Sequence, residues 1–199
     1  MKHLRHADPV VGAIIDRVGR YRITYREPDF ETLVRSIIYQ QLSGKVASVI
    51  FERLRVASIR DGASISAEDI LRLRPSRMRG LGVSPQKLDY IRDLARHVRA
   101  GDLDFAALPP LSDVEVIERL TAVRGIGVWT AHMFLIFALR RPDVLPVGDL
   151  GIRSAIAKAY ALDAPPKADE MERIAACWRP YRSVASWYLW RSLENQAAL

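Results

Sequence analysis

Apolar residues return every three or four positions along almost the whole chain, and nowhere do they alternate long enough to predict a strand. The clearest stretch lies between Ser84-Pro85 and Gly101, where Leu88, Ile91, Leu94, Ala95 and Val98 fall on one helical face. Ser-Pro is a strong helix start and glycine a common stop. The same pattern predicts helices over 10–18, 30–41 (capped by Asp29, with Leu33, Val34, Ile37 and Ile38 on one face) and 43–57, the last capped by Ser43. Further helices are expected over 66–73, 112–121 (opened by the Ser112-x-x-Glu115 capping box), 128–139, 149–161, 168–177 and 181–196. The expected fold is therefore all-α, with about ten helices. Residues 128–139 are apolar on nearly every side before Arg140-Arg141-Pro142, so this helix is expected to be buried.

Composition narrows the function classes. With 49% apolar and 27% charged residues the chain has the makeup of a globular protein, and 199 residues suit one domain or two closely packed lobes. The net charge of +7 points to a polyanionic partner, nucleic acid or a membrane surface. Only five of the 30 cationic residues are lysine, and arginine dominance suits bidentate phosphate contacts, although a biased genome composition produces the same imbalance. The single cysteine, Cys177, excludes an internal disulfide, a thiolate-held iron–sulfur cluster and a zinc knuckle. His3, His6, His97 and His132 show no metal-ligand spacing, and Glu31, Glu52 and Asp69 read as solvated helix faces. MKHLRHADPV has no apolar signal region, and the longest apolar run, 133–139, is far below the roughly 18 residues that cross a bilayer. A soluble, cytoplasmic protein without membrane contact is expected.

The segment Val123-Arg124-Gly125-Ile126-Gly127-Val128-Trp129-Thr130-Ala131 has a near copy of its start at Arg79-Gly80-Leu81-Gly82-Val83. The flanking residues do not repeat and a third copy is absent, so both read as tight turns feeding helices and not as a solenoid. Glycines at 125 and 127 let the backbone adopt conformations barred to other residues and approach a ligand closely. The next helix then presents its unpaired first-turn amides, the positive end of its dipole, where a phosphate binds. Thr130 offers a hydroxyl donor. An ordinary turn with glycine as a helix cap has the same residue pattern.

The 123–131 segment, followed about twenty residues later by Pro146-Val147-Gly148-Asp149, resembles the helix-hairpin-helix plus Gly/Pro-Asp signature of the base-excision DNA glycosylases. Tyr39-Gln40-Gln41-Leu42-Ser43 and Trp178-Arg179-Pro180-Tyr181-Arg182-Ser183, with Trp190 beyond, are similar to the 3-methyladenine DNA glycosylase II branch. The likeness extends from Phe30 to Trp190. It implies two helical lobes, about 28–141 and the two chain ends, around an active-site cleft.

The resemblance also implies site residues. Asp149 becomes the catalytic carboxylate, in a position where it also caps a helix. Trp129, Met133, Trp190 and Tyr39 line the base pocket, Met133 standing where a relative has tyrosine. Gln41 and Leu42 form the DNA wedge, with Gln41 where the best-known relative has an apolar residue. Gly125, Gly127 and Thr130 meet the DNA backbone. The carbonyls of Thr121, Val123 and Ile126 hold a sodium or potassium ion, and no other cofactor is expected. Bifunctional relatives carry a lysine nucleophile where this chain has Trp129, which implies a monofunctional enzyme that excises alkylated purines from double-stranded DNA as a monomer on the nucleoid. The alternatives are a glycosylase for uncharged lesions such as uracil or hypoxanthine, and a non-catalytic DNA-binding protein; a lyase for oxidised bases is disfavoured by the missing lysine and cluster.

Overall fold

A computed structural model describes residues 1–59 and 64–194 of the protein. Twelve α-helices are found among them, with no strand: α1 (Lys2–Ala7), α2 (Pro9–Val18), α3 (Phe30–Tyr39), α4 (Gly44–Ser58), α5 (Ala67–Arg72), α6 (Pro75–Gly80), α7 (Pro85–Ala100), α8 (Asp113–Thr121), α9 (Val128–Phe137), α10 (Leu150–Ala159), α11 (Ala168–Ile174) and α12 (Arg182–Glu194). The all-α class is as expected. No helix of the described residues is long and apolar enough to cross a membrane.

The differences from expectation lie where local signals are weak. Helices α1 and α6 were not anticipated, since neither has a side-chain cap hydrogen bond; α6 takes in Gly80, so the 79–83 segment is not a copy of the 123–131 turn. Helix α3 stops at Tyr39 because Gln40 leaves the helical region (ψ 129°) and Gln41 adopts a left-handed φ of 56°. Helix α9 stops at Phe137: Arg140 turns left-handed (φ 57°) and the Arg141 amide donates back to the Leu135 carbonyl (2.9 Å). Positions 195–196 of the last expected helix lie outside the described residues. Two carboxylates read as solvated are engaged. Asp69 is buried in a capping box with Ser66, and Glu31 accepts the Ile65 amide at 2.7 Å.

The chain divides into two compact units, Arg26–Phe134 and Met1–Tyr25 with the chain from Leu135 onward. In the first, α7 packs against α3, α5 and α6, and α3 against α4. Leu33, Val34, Ile37, Ile38, Leu54, Ile70, Met78, Ile91 and Leu94 are wholly buried there, each contributing about 1.5–3 kcal/mol of transfer free energy. The apolar faces read from the sequence are these buried faces.

In the second unit α12 packs on α2 and α10, with Trp178 and Tyr188 fully buried among Leu4, Val11, Ile15, Ile152 and Ile156. Asp8 sits at its centre. One carboxylate oxygen caps α2 through the amides of Val10 (2.9 Å) and Val11 (3.2 Å), and the other accepts from the Trp178 indole (2.7 Å) and the Tyr160 hydroxyl. A buried carboxylate is tolerated only when its lone pairs are occupied in this way.

Candidate functional site

The Arg26–Phe134 unit holds the hairpin between α8 and α9. The Ile126 amide donates to the Val123 carbonyl (3.1 Å), and both side chains are buried, which pins the turn from below. Gly125 has φ 83°, and a Cβ there would lie 2.1 Å from the Tyr90 ring, so glycine is required twice over. A Cβ on Gly127 would meet nothing within 4 Å, and its φ is ordinary. Among the described residues no packing contact demands that second glycine. In the 79–83 segment the left-handed residue is the other one, Gly82, packed on the Ile50 side chain.

Asp93 on α7 fixes the hairpin from the side. Its carboxylate accepts the Arg124 amide (3.0 Å) and pairs with the Arg124 guanidinium (3.3 Å). Burial pushes the Asp93 carboxyl up, but Arg124, with His97 behind it, more than offsets this and holds it below the ordinary carboxylate range.

The first turn of α9 is the positive end of its helix dipole. Expected to be buried, this turn instead exposes Val128 (52%) and Trp129 (46%). Thr130 is buried, so its side chain is not presented to solvent, and Met133 is half-buried. Gln41 and Leu42 are exposed beyond the end of α3. Tyr39 is half-buried with the Arg35 guanidinium 3.8 Å over its ring, so one aromatic face is already covered by a cation.

The other unit holds Asp149 and Trp190, which the structure brings together. Asp149 caps α10: Oδ1 accepts the Ile152 amide (2.8 Å) and the Trp190 indole N–H (2.9 Å). The carboxylate is only 8% exposed. Trp190 in turn stacks on Phe137, centroids 5.8 Å apart. The backbone leading to Asp149 is braced as well. Arg182 donates to the Asp143 carboxylate (2.8 and 3.1 Å) and carbonyl (2.8 Å), and the Ser183 hydroxyl donates to the Arg141 carbonyl (2.7 Å) while accepting the Val144 amide (2.9 Å). A carboxylate with fixed orientation and an indole locked to it form a rigid negative group suited to stabilising positive charge.

Four residues of this arrangement went unread in the sequence. Phe137, Asp93 and Arg182 carry no local signal for their roles. Gly151 carries one, being a glycine in the first turn of a helix, and the structure shows its cause: a Cβ there would lie 3.1 Å from Asp149 Oδ1 and 3.3 Å from Trp190 Cδ1. No group of three or more His, Cys, Asp or Glu side chains able to hold a metal ion occurs among the described residues.

The model of the HhH-GPD superfamily of base excision DNA repair proteins matches residues 34–180. The chain is 36% identical over 169 residues to a Bacillus subtilis (strain 168) protein provisionally named as a DNA-3-methyladenine glycosylase, covering 83% of this chain but 59% of that relative, less than two thirds of its length. Two solved structures are similar over almost the whole chain. The Bacillus halodurans DNA-3-methyladenine glycosidase superposes with a TM-score of 0.87 at 36% identity, over 99% of this chain and 90% of that one. The Schizosaccharomyces pombe 3-methyladenine DNA glycosylase in complex with abasic DNA gives 0.83 at 34% identity, over 96% and 95%.

Proposed function

This chain belongs to the HhH-GPD superfamily of base excision DNA repair proteins, and on that premise we propose that it is a monofunctional DNA N-glycosylase that removes alkylated purines, of the 3-methyladenine and 7-methylguanine kind, from double-stranded DNA. It works as a monomer on cytoplasmic, nucleoid-associated DNA. The observation that carries the reading is Asp149: an almost fully buried carboxylate held by the Ile152 amide and the Trp190 indole.

A base inside a duplex is out of reach, so the nucleotide is extruded and the gap filled by the exposed Gln41-Leu42 turn. Breaking the N-glycosidic bond sends its electron pair to the base and leaves positive charge on the sugar. The Asp149 carboxylate stabilises that charge and orients the water that adds at C1′. An N3- or N7-alkylated purine is cationic and leaves as a neutral base, so modest assistance suffices. The exposed indole of Trp129 attracts such a cation by about 0.5–2 kcal/mol, and half-buried Met133 gives a soft neighbouring wall.

The DNA backbone is gripped at the hairpin, by the amides at the start of α9 and by the open space over Gly127. The carbonyls of Thr121, Val123 and Ile126 fit a sodium or potassium ion by donor chemistry: three neutral oxygens, of which that of Val123 accepts a single amide in the turn and keeps a lone pair. A bound ion supplies positive charge toward a phosphate. Lyase chemistry is disfavoured because Trp129 stands at the nucleophile's place and Lys87 is committed to the carbonyls of Ile38 and Gln40.

Three results are expected. The protein releases methylated purines from alkylated duplex DNA, identified by chromatography, and sodium borohydride traps no covalent adduct on abasic DNA; release of uracil or hypoxanthine alone, or a trapped adduct, would overturn the reading. Gly127→Ala lowers stability by less than about 1 kcal/mol, yet weakens binding to an abasic duplex about tenfold in anisotropy titrations, because the new methyl stands between backbone and phosphate. Unchanged affinity would remove Gly127 from the interface. In Gly151→Ala the methyl must displace Asp149 or Trp190 by a few tenths of an ångström. Single-turnover excision then falls about three- to tenfold while melting changes little, since the helix gains from alanine what the crowding costs; undiminished excision would show that the pair's geometry is not critical.

A further inference from the structure

One face of α7 touches both the 123–127 hairpin and the end of α3. Lys87, Tyr90 and Asp93 follow at intervals of three, so they project from the same side of the helix. Asp93 holds the Arg124 amide, and the Tyr90 ring lies where a Cβ of Gly125 would be, its hydroxyl fixed by Gln86 (2.7 Å). Lys87 Nζ donates to the carbonyls of Ile38 and Gln40, at 2.7 Å each. These are the carbonyls at which α3 gives way to the Gln41-Leu42 turn. The triangle is closed by Gln40, whose Nε2 donates to the Gly125 carbonyl at 2.8 Å across 85 residues of sequence.

Partial burial lowers the Lys87 ammonium below the ordinary lysine value, and two of its three donors are taken by these carbonyls. Gln41 itself has a left-handed φ, which a non-glycine residue holds only when its surroundings enforce it. The enforcing contacts sit on the residue before it.

We infer that Gln40 and Lys87 are positioning residues for base extrusion: they lock the Gln41-Leu42 turn to the 123–127 hairpin through α7, so that the wedge enters the duplex at a fixed separation from the gripped phosphate. The inference rests on the glycosylase reading for its substrate, though not for its geometry. Neither side chain need touch DNA. Their effect falls on the extrusion step and therefore depends on how firmly the target base is paired.

The test compares Gln40→Met, which keeps side-chain length, and Lys87→Met, one atom shorter; both keep an unbranched chain and remove the donor. Single-turnover release of 7-methylguanine is measured from a duplex with the lesion opposite cytosine and from one with it opposite an abasic analogue. Each variant should slow release from the paired substrate about tenfold and from the unpaired one less than about twofold, and the double variant should be no slower than the slower single one. Thermal melting separates misfolding from mispositioning. Independently of chemistry, a 2-aminopurine next to an abasic analogue should brighten on binding native protein and brighten less with either variant. Equal slowing on both substrates, or no slowing together with native brightening, would overturn the inference. If native protein brightens the probe but releases no base, the enzymatic reading fails while the positioning role stands.

Discussion

Replacing Gly125 by alanine is expected to destabilise the protein by about 2–5 kcal/mol, the sum of a left-handed backbone cost of about 1–2 and an overpacking cost of about 1–3. The two costs have separate origins. Gly125 sits at φ 83°, and the added methyl would lie 2.1 Å from Tyr90 Cδ2 and 2.2 Å from Cγ, inside a ring that cannot bend. Tyr90 cannot swing aside freely, because Gln86 holds its hydroxyl. Relief must come from the hairpin, which is tied by Asp93 at Arg124 and by Gln40 at the Gly125 carbonyl. For a domain of this size the loss corresponds to a melting point lower by about 5–15 °C. A Gly125→Ala/Tyr90→Ala pair should recover the steric part and keep the backbone part, apart from the cost of the lost ring, which Tyr90→Ala alone measures. A Gly125→Ala melting curve indistinguishable from native would show that the turn is looser than described.

Asp149→Asn is expected to cut single-turnover excision by about a hundred- to a thousandfold, roughly 3–4 kcal/mol of transition-state stabilisation. The exchange is nearly isosteric. Asparagine's carbonyl oxygen can still accept the Ile152 amide and the Trp190 indole, and asparagine caps helices as well as aspartate does. The exchange removes the negative charge and keeps these two hydrogen bonds, so melting and abasic-DNA affinity should stay close to native. Asp149→Ala would confuse the two effects, because it also removes a cap and strips the half-buried Trp190 indole N–H of its acceptor. The fall should be steeper for a neutral lesion than for a cationic purine, whose own charge already weakens the glycosidic bond. An Asn variant that loses affinity as much as rate would mean that the carboxylate holds DNA or the fold and not the transition state.

Local physics made much of this legible in sequence. The stripe of α7, the capping box at Ser112 and the caps at Asp29, Ser43, Ser84 and Asp149 are each written within a few residues of sequence, and each appears in the structure. What stayed hidden acts across distance in the chain. The Asp149–Trp190 hydrogen bond spans 41 residues and the Gln40–Gly125 bond 85; neither has a local signature. Helix ends set by positive φ at Gln41 and Arg140 were overrun, because neither residue is the glycine that usually marks such a stop. The two G-x-G segments are both turns that feed helices, as their letters suggest, but equal letters at 79–83 and 123–127 hide different left-handed residues, Gly82 in one and Gly125 in the other. Apolarity alone also misread α9, whose exposed Val128 and Trp129 are what a ligand-facing turn presents.

The account rests on Asp149 acting on the sugar, and one comparison reaches that directly. Native protein and Asp149→Asn are incubated with duplex DNA carrying a single 7-methylguanine, and the freed base is quantified by chromatography beside each protein's affinity for abasic duplex. The account predicts rapid release by native protein and at least about a hundredfold slower release by the variant at equal affinity. Equal release by both would contradict it.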